Sequence, residues 1–349
     1  MSNYLHYING ESVEGTSGRF SPVFNPAVGE EIGQVQLASD SEVDAAVQAA
    51  QAAYPAWSAL APSRRATVMF KWRELLMANI DKLAELVSIE HGKVHEDAKG
   101  EVIRGIEVVE VATSIPNLLK GDYSSQVATG MDAWAVRQSL GVVAGITPFN
   151  FPVMIGLWMA PIAIATGNTF VWKPSERDPS ACRLVADLAK QAGLPDGVLN
   201  IVQGDKVAVD ALLHHPLIKA VSFVGSTPIA KYIYATATAN GKRAQALGGA
   251  KNHAIIMPDA DMDMTVDALI GAGYGAAGER CMAISVAVAV GDETADELVS
   301  RLKPRVEGLK IGPWNDKDAE MGPLVNQAAY DRVSGYIDAG SAEGADLVV

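Results

Sequence analysis

The spacing of apolar and polar positions along the chain changes near residue 140. Before that point, apolar residues recur at the spacing of amphipathic helices. We expect four helices there, over residues 39–57, 62–78, 79–91 and 94–118. The first begins with the Ser-x-x-Glu spacing of a capping box, from Ser39 to Glu42.

From Val142 onward, short apolar runs alternate with helical stretches. The runs are VVAGI, TFVWK, LNIVQG, AVSFVG and AIIM, and the helical stretches lie at about 153–166, 179–192, 206–214 and 227–238. This βαβ alternation is typical of an α/β fold with a doubly wound parallel sheet. We expect a further helix (262–276), strand (284–290) and helix (293–309) to follow.

Shorter elements are expected elsewhere in the chain. The pattern of residues 4–38 predicts a small antiparallel group of strands at the start of the chain, here called the lead-in, with turns at Asn9-Gly10 and Asn25-Pro26. Residues 122–139 are polar and β-leaning, and they predict a protruding strand pair. The last residues, 346–349, resemble the beginning of a strand that has no partner. We therefore expect the chain to be a fragment.

Length and composition favour a globular protein of two domains. A chain of 349 residues is long for one core, and 49% hydrophobic with 20% charged residues is a globular composition. The net charge of −13 argues against nucleic acid as a partner, since that binding needs clustered Lys and Arg. We place the domains at 1–245 and 246–349, the second of them incomplete.

The compartment predicted from the sequence is the cytoplasm. Two cysteines, Cys182 and Cys281, make no disulfide framework, and the N-terminus lacks the features of a secretory signal. Nothing is charged between Arg137 and Lys173, as in a membrane span, but prolines and asparagines interrupt that stretch. Buried parallel strands have the same composition, so no membrane partner is expected.

Residues 273–278 read GYGAAG, which has the spacing of a dinucleotide-binding fingerprint. That fingerprint must follow a strand and open a helix, whereas this segment trails a predicted helix. We interpret it as a close-packing turn.

A stronger nucleotide signal lies at the ends of two predicted strands. Lys173 and Glu176 follow the run TFVWK, and their side chains suit ribose hydroxyls and phosphate. A solvated loop pair is the alternative. Gly225 and Ser226 follow the run AVSFV and open a helix whose free amides can meet a pyrophosphate. An ordinary helix N-cap is the alternative there.

Cys281 is the candidate nucleophile. It lies in a Gly-rich loop directly after Arg280, and a neighbouring cation favours the reactive thiolate. The alternative is a small buried hydrophobe, which is our interpretation of Cys182 in its Ala/Leu-rich helix. Asn150, polar within an apolar stretch, offers an NH2 group that can stabilise an oxyanion. A turn-forming asparagine satisfied by backbone groups is the alternative for that residue.

Five motifs occur together in the order and approximate spacing of the aldehyde dehydrogenase superfamily. They are TPFNFP (147–152), WKPSE (172–176), FVGS (223–226), LGGAKN (247–252) and GERCMA (278–283). Within the superfamily the chain resembles the CoA-acylating methylmalonate-semialdehyde (malonate-semialdehyde) dehydrogenases. That narrower resemblance is carried by EVIRGIEVVE (101–110), KPSERDP (173–179), GSTPIAKYIY (225–234), GAKNHAIIMPDAD (249–261) and GAAGERCMA (275–283).

The resemblance implies an aldehyde dehydrogenase-like fold and a role for each matching residue. The resemblance implies that residues 1–245 form the NAD-binding domain, with 122–139 as an oligomerisation strand pair. It implies that residues 246–349 form the catalytic domain, which is truncated. Cys281 is the implied nucleophile, and Asn150 the oxyanion donor together with the Cys281 N–H. The implied cofactor-binding residues are Thr147, Phe149, Lys173, Glu176, Arg177, Gly225, Ser226 and Gly248. Arg104 and Arg280 match the two arginines that hold the substrate carboxylate, with a surface position as the alternative for Arg104.

The reaction implied by the resemblance is NAD-dependent oxidation of methylmalonate or malonate semialdehyde through a Cys281 thioester. Most hydrolytic relatives have a glutamate where this chain has Ala246, so transfer of the thioester to coenzyme A is expected. Loss of CO2 then gives propionyl-CoA or acetyl-CoA, and no metal is implied. A dimer or tetramer is expected. The alternatives are a hydrolytic aldehyde dehydrogenase and a truncated, non-catalytic NAD-binding chain, because the sequence stops before the family's Glu-Phe-Gly-Pro segment.

Overall fold

The computed structural model describes residues 2–349, and the chain divides into two compact units. The first unit comprises the chain up to Val23, Gly33–Leu83 and Lys99–Gly248. The second comprises Phe24–Ile32, Ala84–Ala98 and Gly249–Val349. The division after Gly248 lies three residues beyond the predicted domain boundary at 245. The cofactor-binding and catalytic roles assigned to the two parts stay predictions.

Fourteen strands are present in residues 2–349. They are β1 (Ser2–Tyr4), β2 (His6–Ile8), β3 (Glu11–Val13), β4 (Phe20–Asn25), β5 (Glu30–Gln36), β6 (Tyr123–Ala128), β7 (Met131–Trp134), β8 (Val142–Ile146), β9 (Thr169–Lys173), β10 (Leu199–Ile201), β11 (Ile218–Val224), β12 (Arg243–Leu247), β13 (Asn252–Ile256) and β14 (Ile284–Ala289).

Twelve α-helices are present in the same residues. They are α1 (Asp40–Ala59), α2 (Pro62–Ala78), α3 (Ile80–His91), α4 (His95–Thr113), α5 (Ile115–Leu118), α6 (Met154–Ala165), α7 (Ser180–Gln191), α8 (Lys206–His214), α9 (Thr227–Ala239), α10 (Met262–Leu269), α11 (Asp292–Glu307) and α12 (Gln327–Ala342). Helices α1 to α4 and α6 to α9 confirm the eight helices predicted up to residue 238. Their bounds agree to within two residues, except that the predicted helix 94–118 ends at Thr113 and its last part is the separate helix α5.

A seven-stranded sheet forms the centre of the first unit. Its strand order is β12-β11-β8-β9-β10-β2-β3, and β8 to β12 pair in parallel. Strands β2 and β3 add an antiparallel edge. The parallel part confirms the doubly wound sheet predicted from the βαβ alternation.

Alternation along the strands decides which helices cover each face of this sheet. The side chains of Val142, Ala144 and Ile146 in β8 join one apolar cluster with buried residues of α1, α8 and α9. On the opposite face, the fully buried Trp172 of β9 packs directly on Gly156 of α6, where a Cβ atom would overlap its ring. The strand residues are apolar on both faces because helices cover both.

The capping box at Ser39 and Glu42 is confirmed, and it does more than start α1. The Glu42 carboxylate accepts hydrogen bonds from the backbone N–H groups of Ser39, Thr16 and Ser17 and from the hydroxyls of Ser39 and Thr16. Burial by itself would raise the pKa of Glu42, but the hydrogen bonds from Ser39 and Thr16 lower it well below its ordinary value. Glu42 therefore ties the N-terminal loop to α1.

The antiparallel lead-in over residues 4–38 is only partly correct. Strands β2 and β3 form the predicted hairpin, with Asn9 (φ 53°) and Gly10 (φ 79°) in the left-handed conformations of its turn. Strand β1, however, runs parallel to β5, and β2 pairs with β10 of the large sheet. Pairing with a strand distant in sequence is not encoded in the local pattern.

The strand pair predicted at 122–139 is confirmed as the β6–β7 hairpin. Every residue of both strands is exposed, including the large side chains of Tyr123, Met131 and Trp134.

The second unit contains the parallel pair β13–β14 with α10 and α11. A small apolar core joins Ile256, Met262, Val266, Leu269 and Leu298. The strand at 284–290 and the helix at 293–309 are confirmed.

Two expectations for the second unit are wrong, and one helix was not anticipated. The predicted helix 262–276 ends at Leu269 and continues as a π turn (Ile270–Tyr274) and a 3-10 turn (Gly275–Gly278). The glycines between 271 and 278 weaken a regular helix. The segment 346–349 forms no strand. Helix α12 was not anticipated.

No helix within residues 2–349 is long and apolar enough to cross a membrane. The uncharged stretch between Arg137 and Lys173 is divided among β8, α6 and β9.

Candidate active site

The parallel strands β8 and β11 lie side by side where the chain changes sides of the sheet. From β8 it proceeds through β9 and β10 on one side, then returns to β11 and β12 on the other. Ligands of doubly wound sheets bind beyond the carboxyl ends of the strands at such a switch point. Thr147, Phe149 and Asn150 follow β8, and Gly225 and Ser226 follow β11. The topology therefore brings five predicted site residues to one edge.

The predicted cofactor residues that follow β9 make contacts with one another and with Phe149. Lys173 is buried, and its Nζ lies 3.3 Å from Glu176 Oε2. The Arg177 guanidinium stacks over the ring of Phe149 at 4.8 Å from the ring centroid. Lys173 is thus a buried, paired cation, in contrast to the solvated loop residue that was the alternative.

Thr147 is fixed from two directions. Its backbone N–H donates to the carbonyl oxygen of Lys173 at 3.1 Å, and its hydroxyl accepts from Trp172 Nε1 at 2.8 Å. Because Trp172 also packs on Gly156, the end of β8 is connected to α6 through one buried indole.

Asn150 lies at a bend, half-buried, just before α6 begins. The start of α6 is held by Glu101 of α4, whose Oε1 accepts from the N–H groups of Val153 at 2.9 Å and Met154 at 3.2 Å. Glu101 is only 2% exposed. A buried carboxylate at a helix N-terminus satisfies free N–H groups and suits the helix dipole. It therefore fixes the segment that carries Asn150.

The N-terminus of α9 is open toward the same edge. Ser226 is an exposed N-cap residue whose side chain makes no capping hydrogen bond. A Cβ at Gly225 would overlap the Phe223 ring, so that position needs the space that glycine leaves. A Cβ at Gly248 would make a tight contact with Thr227 Oγ1 at 3.0 Å. The N-terminus of α9, the Ser226 hydroxyl and the Lys173–Glu176 pair supply the kinds of donors and acceptors that a pyrophosphate and a ribose require. The residues present fit NAD, the cofactor that the resemblance implies.

The loop that carries Cys281 belongs to the second unit. Cys281 is a free thiol of intermediate exposure. Before it, Ala276 (φ 51°) and Ala277 (φ 53°) are left-handed although neither is glycine, a conformation that costs about 1 kcal/mol or more per residue. After it, Asn252 Nδ2 donates to the carbonyl oxygens of Cys281 and Ala283, both at 3.0 Å. The loop is thus irregular and anchored, as functional loops often are.

A buried histidine of the second unit adjoins this loop at Glu279. The buried His91 has its Nε2 3.9 Å from Glu279 Oε2. Burial, with a smaller effect of the Lys93 charge, lowers the pKa of His91 well below its ordinary value. His91 is therefore neutral at neutral pH, and its approach to Glu279 is not an ion pair.

The two arginines expected to hold the substrate carboxylate have different surroundings. Arg104 lies exposed on α4 in the first unit. Arg280, in the second unit, pairs with Asp97, with 2.8 Å between Nη2 and Oδ1, and its Nη1 donates to the carbonyl oxygen of Gly271 at 3.2 Å. The carboxylate-binding roles of both stay predictions.

The sequence model described as the aldehyde dehydrogenase family matches residues 13–349. The chain belongs to the aldehyde dehydrogenase family. The resemblance inferred from the five motifs is confirmed, and so is the fold class.

Relatives of known sequence and structure cover the whole chain. It is 57% identical to malonate-semialdehyde dehydrogenase of Pseudomonas aeruginosa, covering 100% of this chain and 70% of the relative. A methylmalonate-semialdehyde dehydrogenase structure from Oceanimonas doudoroffii is 56% identical with a TM-score of 0.98, covering 100% of this chain and 71% of the other. A structure from Sinorhizobium meliloti, complexed with NAD, is 57% identical with a TM-score of 0.98, again covering 100% and 71%.

Sequence reasoning missed three residues that anchor the predicted site. Asp97 and Glu101 lie on α4, and Asn252 begins β13. In the sequence, Asp97 and Glu101 look like ordinary charges near the start of a helix. The one available signal was that Glu101 directly precedes the apolar pair Val102-Ile103 in a predicted helix.

Ala246 also has a defined place in this aldehyde dehydrogenase. It lies in β12, in register with Phe223 of β11, and packs against the apolar cluster beneath the sheet. No carboxylate is therefore present at this position.

Proposed function

We propose that this chain oxidises malonate semialdehyde or methylmalonate semialdehyde and transfers the acyl group to coenzyme A. The observation that carries the proposal is the free, accessible thiol of Cys281 in an anchored loop directly after Arg280. The identity of 57% over the whole chain to a malonate-semialdehyde dehydrogenase supports the substrate class.

The first half of the reaction forms a thioester. The Cys281 thiolate attacks the aldehyde carbon, and the carbonyl π electrons move to oxygen, giving a tetrahedral thiohemiacetal. The Asn150 amide donates to that oxyanion, an interaction worth about 10²- to 10³-fold in rate where single donors have been removed. NAD, when bound, accepts the hydride that leaves the former aldehyde carbon. The product of this half is an acyl thioester on Cys281.

The second half moves the acyl group to another thiol. Ala246 supplies no general base for water, so the thioester persists until coenzyme A attacks it. The coenzyme A sulfur bonds to the acyl carbon, and Cys281 leaves as the thiolate. The bond to the β-carboxyl group breaks as CO2 leaves, its electron pair forms the thioester enolate, and a proton from water adds to the α-carbon. The product is acetyl-CoA from malonate semialdehyde or propionyl-CoA from methylmalonate semialdehyde.

The substrate carboxylate provides a handle for recognition. Arg104 and Arg280 bind it in this proposal, since guanidinium groups match carboxylates in charge and geometry. Arg104 is exposed, so its guanidinium group is accessible, and Arg280 directly precedes the nucleophile.

The cofactor residues follow from the edge of the sheet described above. Lys173 and Glu176 bind the adenosine ribose, Arg177 and Phe149 lie on the adenosine side, and Ser226 meets the pyrophosphate. The Glu176 charge favours NAD over NADP, because it repels a 2′-phosphate. Gly225, Gly248 and Thr147 line the cofactor path in this proposal.

We also propose that copies of this chain associate through the β6–β7 hairpin and that the reaction takes place in the cytoplasm. Exposed Tyr123, Met131 and Trp134 give the hairpin an apolar surface, which is typical of an interaction site. Light scattering after size-exclusion chromatography should show a dimer or tetramer, and Trp134→Ser should shift it toward monomer. A monomeric wild-type protein would contradict the association.

The test of function compares acyl acceptors. NADH formation from malonate semialdehyde, methylmalonate semialdehyde and propanal is followed with and without coenzyme A, and products are identified by mass spectrometry. Acyl-CoA products and a strong preference for carboxylated aldehydes are expected, with no turnover in Cys281→Ala. Free acid formed at full rate without coenzyme A would instead indicate a hydrolytic enzyme. NAD binding without any turnover would indicate a binding protein.

A further inference from the structure

The segment before Cys281 has no regular structure to keep it in place. It passes from a π turn into a 3-10 turn and includes the left-handed Ala276 and Ala277. A backbone in sparsely populated conformations persists only when its surroundings determine it. Some neighbouring group must therefore hold this segment.

One carboxylate contacts that part of the chain at two points. Asp97 Oδ2 accepts from the backbone N–H of Ala276 at 3.0 Å, and Asp97 Oδ1 lies 2.8 Å from Arg280 Nη2. Asp97 and Arg280 are each about a quarter exposed, so the ion pair is partly shielded from water. Asp97 itself is fixed in the first turn of α4, where the helix dipole favours a negative charge.

The Arg280 guanidinium is consequently bound on two sides. Nη2 pairs with Asp97, and Nη1 donates to the carbonyl oxygen of Gly271 at the start of the irregular segment. The planar guanidinium lies against Gly275, where a Cβ atom would overlap it. The side chain of Arg280 thus connects Asp97 with the loop backbone that leads to Cys281.

The other side of Cys281 is anchored independently. Asn252 holds the carbonyl oxygens of Cys281 and Ala283. With Arg280 fixed on one side and these carbonyls on the other, Cys281 lies between two anchored points. The direction of its side chain then depends on both.

We propose that Asp97 is the positioning residue of the nucleophile: through Arg280 and the Ala276 N–H it sets the conformation from which Cys281 attacks. This inference rests on the proposed function of Cys281. Asp97 touches no reacting atom in it. It also offsets the charge of Arg280, the residue directly before Cys281, so its loss should change both the geometry and the charge of this loop.

The variants separate these contributions. Asp97→Asn keeps an acceptor for the Ala276 N–H but removes the charge that pairs with Arg280. Asp97→Glu keeps the charge on a longer side chain. Asp263→Asn is the matched control, because Asp263 forms an exposed ion pair with Arg301, at 2.6 Å, in the same unit. All variants are made in the full chain, and circular dichroism with thermal unfolding checks that each is folded.

Two measurements are made on each variant. The first is steady-state kcat and KM for malonate semialdehyde with NAD and coenzyme A. The second is the rate of Cys281 alkylation by iodoacetamide as a function of pH without substrate, quantified by peptide mass spectrometry. Cys182 is fully buried and provides the unreactive reference thiol.

We expect Asp97→Asn to lower kcat by at least about 10-fold while KM changes by less than about 3-fold, because displacement of a reacting group affects the chemical step. The midpoint of the Cys281 alkylation profile should move to lower pH, since a negative charge is lost beside Arg280. Asp97→Glu should recover most of kcat, and Asp263→Asn should match the wild type. In an Arg280→Met background, Asp97→Asn should change kcat by less than about 2-fold.

The proposal is overturned if folded Asp97→Asn retains kcat within about 2-fold of the wild type. It is also overturned if the loss of kcat is undiminished in the Arg280→Met background. A wild-type protein without turnover refutes the proposed function instead. In that case the alkylation profile decides alone: an unchanged midpoint in Asp97→Asn overturns the positioning role, and a shift to lower pH supports it.

Discussion

Replacement of Glu101 should weaken both the fold and the oxyanion site. This carboxylate is 2% exposed and accepts from the N–H groups of Val153 and Met154 at the start of α6. Both donors are buried, so they cannot turn to water when the acceptor is removed.

The size of the effect follows from these two bonds. In Glu101→Ala, each buried N–H left without its acceptor costs about 1–3 kcal/mol, or about 2–6 kcal/mol for the pair. Glu101→Gln keeps a carbonyl oxygen but loses the charge, and should cost about 1–2 kcal/mol. Since Asn150 lies three residues before Val153, we also expect Glu101→Gln to lower kcat by about 10-fold, less than the complete loss of an oxyanion donor.

Urea unfolding gives the stability change, and steady-state NADH formation gives kcat and KM. Glu107→Gln is the matched control, because Glu107 lies exposed on the same helix. The reasoning is refuted if Glu101→Gln and Glu107→Gln have the same free energy of unfolding and the same kcat. A fall in stability without a change in kcat would refute only the connection to Asn150.

Three further perturbations have expected outcomes. Gly156→Ala should destabilise the protein by about 1–3 kcal/mol, because the added Cβ overlaps the Trp172 ring. Gly100→Ala on α4 is the control: its Cβ meets open space, so thermal unfolding should show a neutral or stabilising effect. Equal effects of the two substitutions would contradict the packing argument. The pKa of Glu42 is lowered, so the stability that its carboxylate contributes should be complete above about pH 5 and should decrease as the pH falls below about 4.3. Between roughly pH 5.5 and 3.5, the free energy of unfolding in urea should therefore fall less in Glu42→Gln than in the wild type. An equal fall in both proteins would contradict this role of Glu42. Glu176→Gln should raise the kcat/KM ratio for NADP over NAD by about 10-fold, and an unchanged ratio would remove Glu176 from cofactor selection.

The parts of the fold that depend on local pattern could be predicted from the sequence. Helix α8 was placed at its observed bounds, and the exposed β6–β7 hairpin was recognised from its polar, β-leaning residues. The parallel pairing of β1 with β5 was not foreseen, because it depends on partners distant in the chain. The early end of α10 at Leu269 was also missed. The methionines, Ala268 and Leu269 of that stretch favour a helix, while the glycines after it permit a different backbone.

The residues of the candidate site likewise divide into those that could be predicted from the sequence and those that could not. Cys281, Lys173 and Glu176 carry chemistry in their side chains and stand next to recognisable turns, so they could be named from sequence. The anchors Asp97 and Asn252 act through hydrogen bonds to backbone groups 29 to 179 positions away, and no sequence pattern records such bonds.

The central claim is that Cys281 carries an acyl thioester that coenzyme A removes. The most direct measurement is mass spectrometry of the intact protein and its Cys281 peptide after mixing with NAD and malonate semialdehyde, before and after coenzyme A is added. We predict an acyl adduct on Cys281 that accumulates without coenzyme A and disappears on its addition as acetyl-CoA forms. Steady NADH formation with no adduct on Cys281, or an adduct that coenzyme A leaves unchanged, would contradict the account.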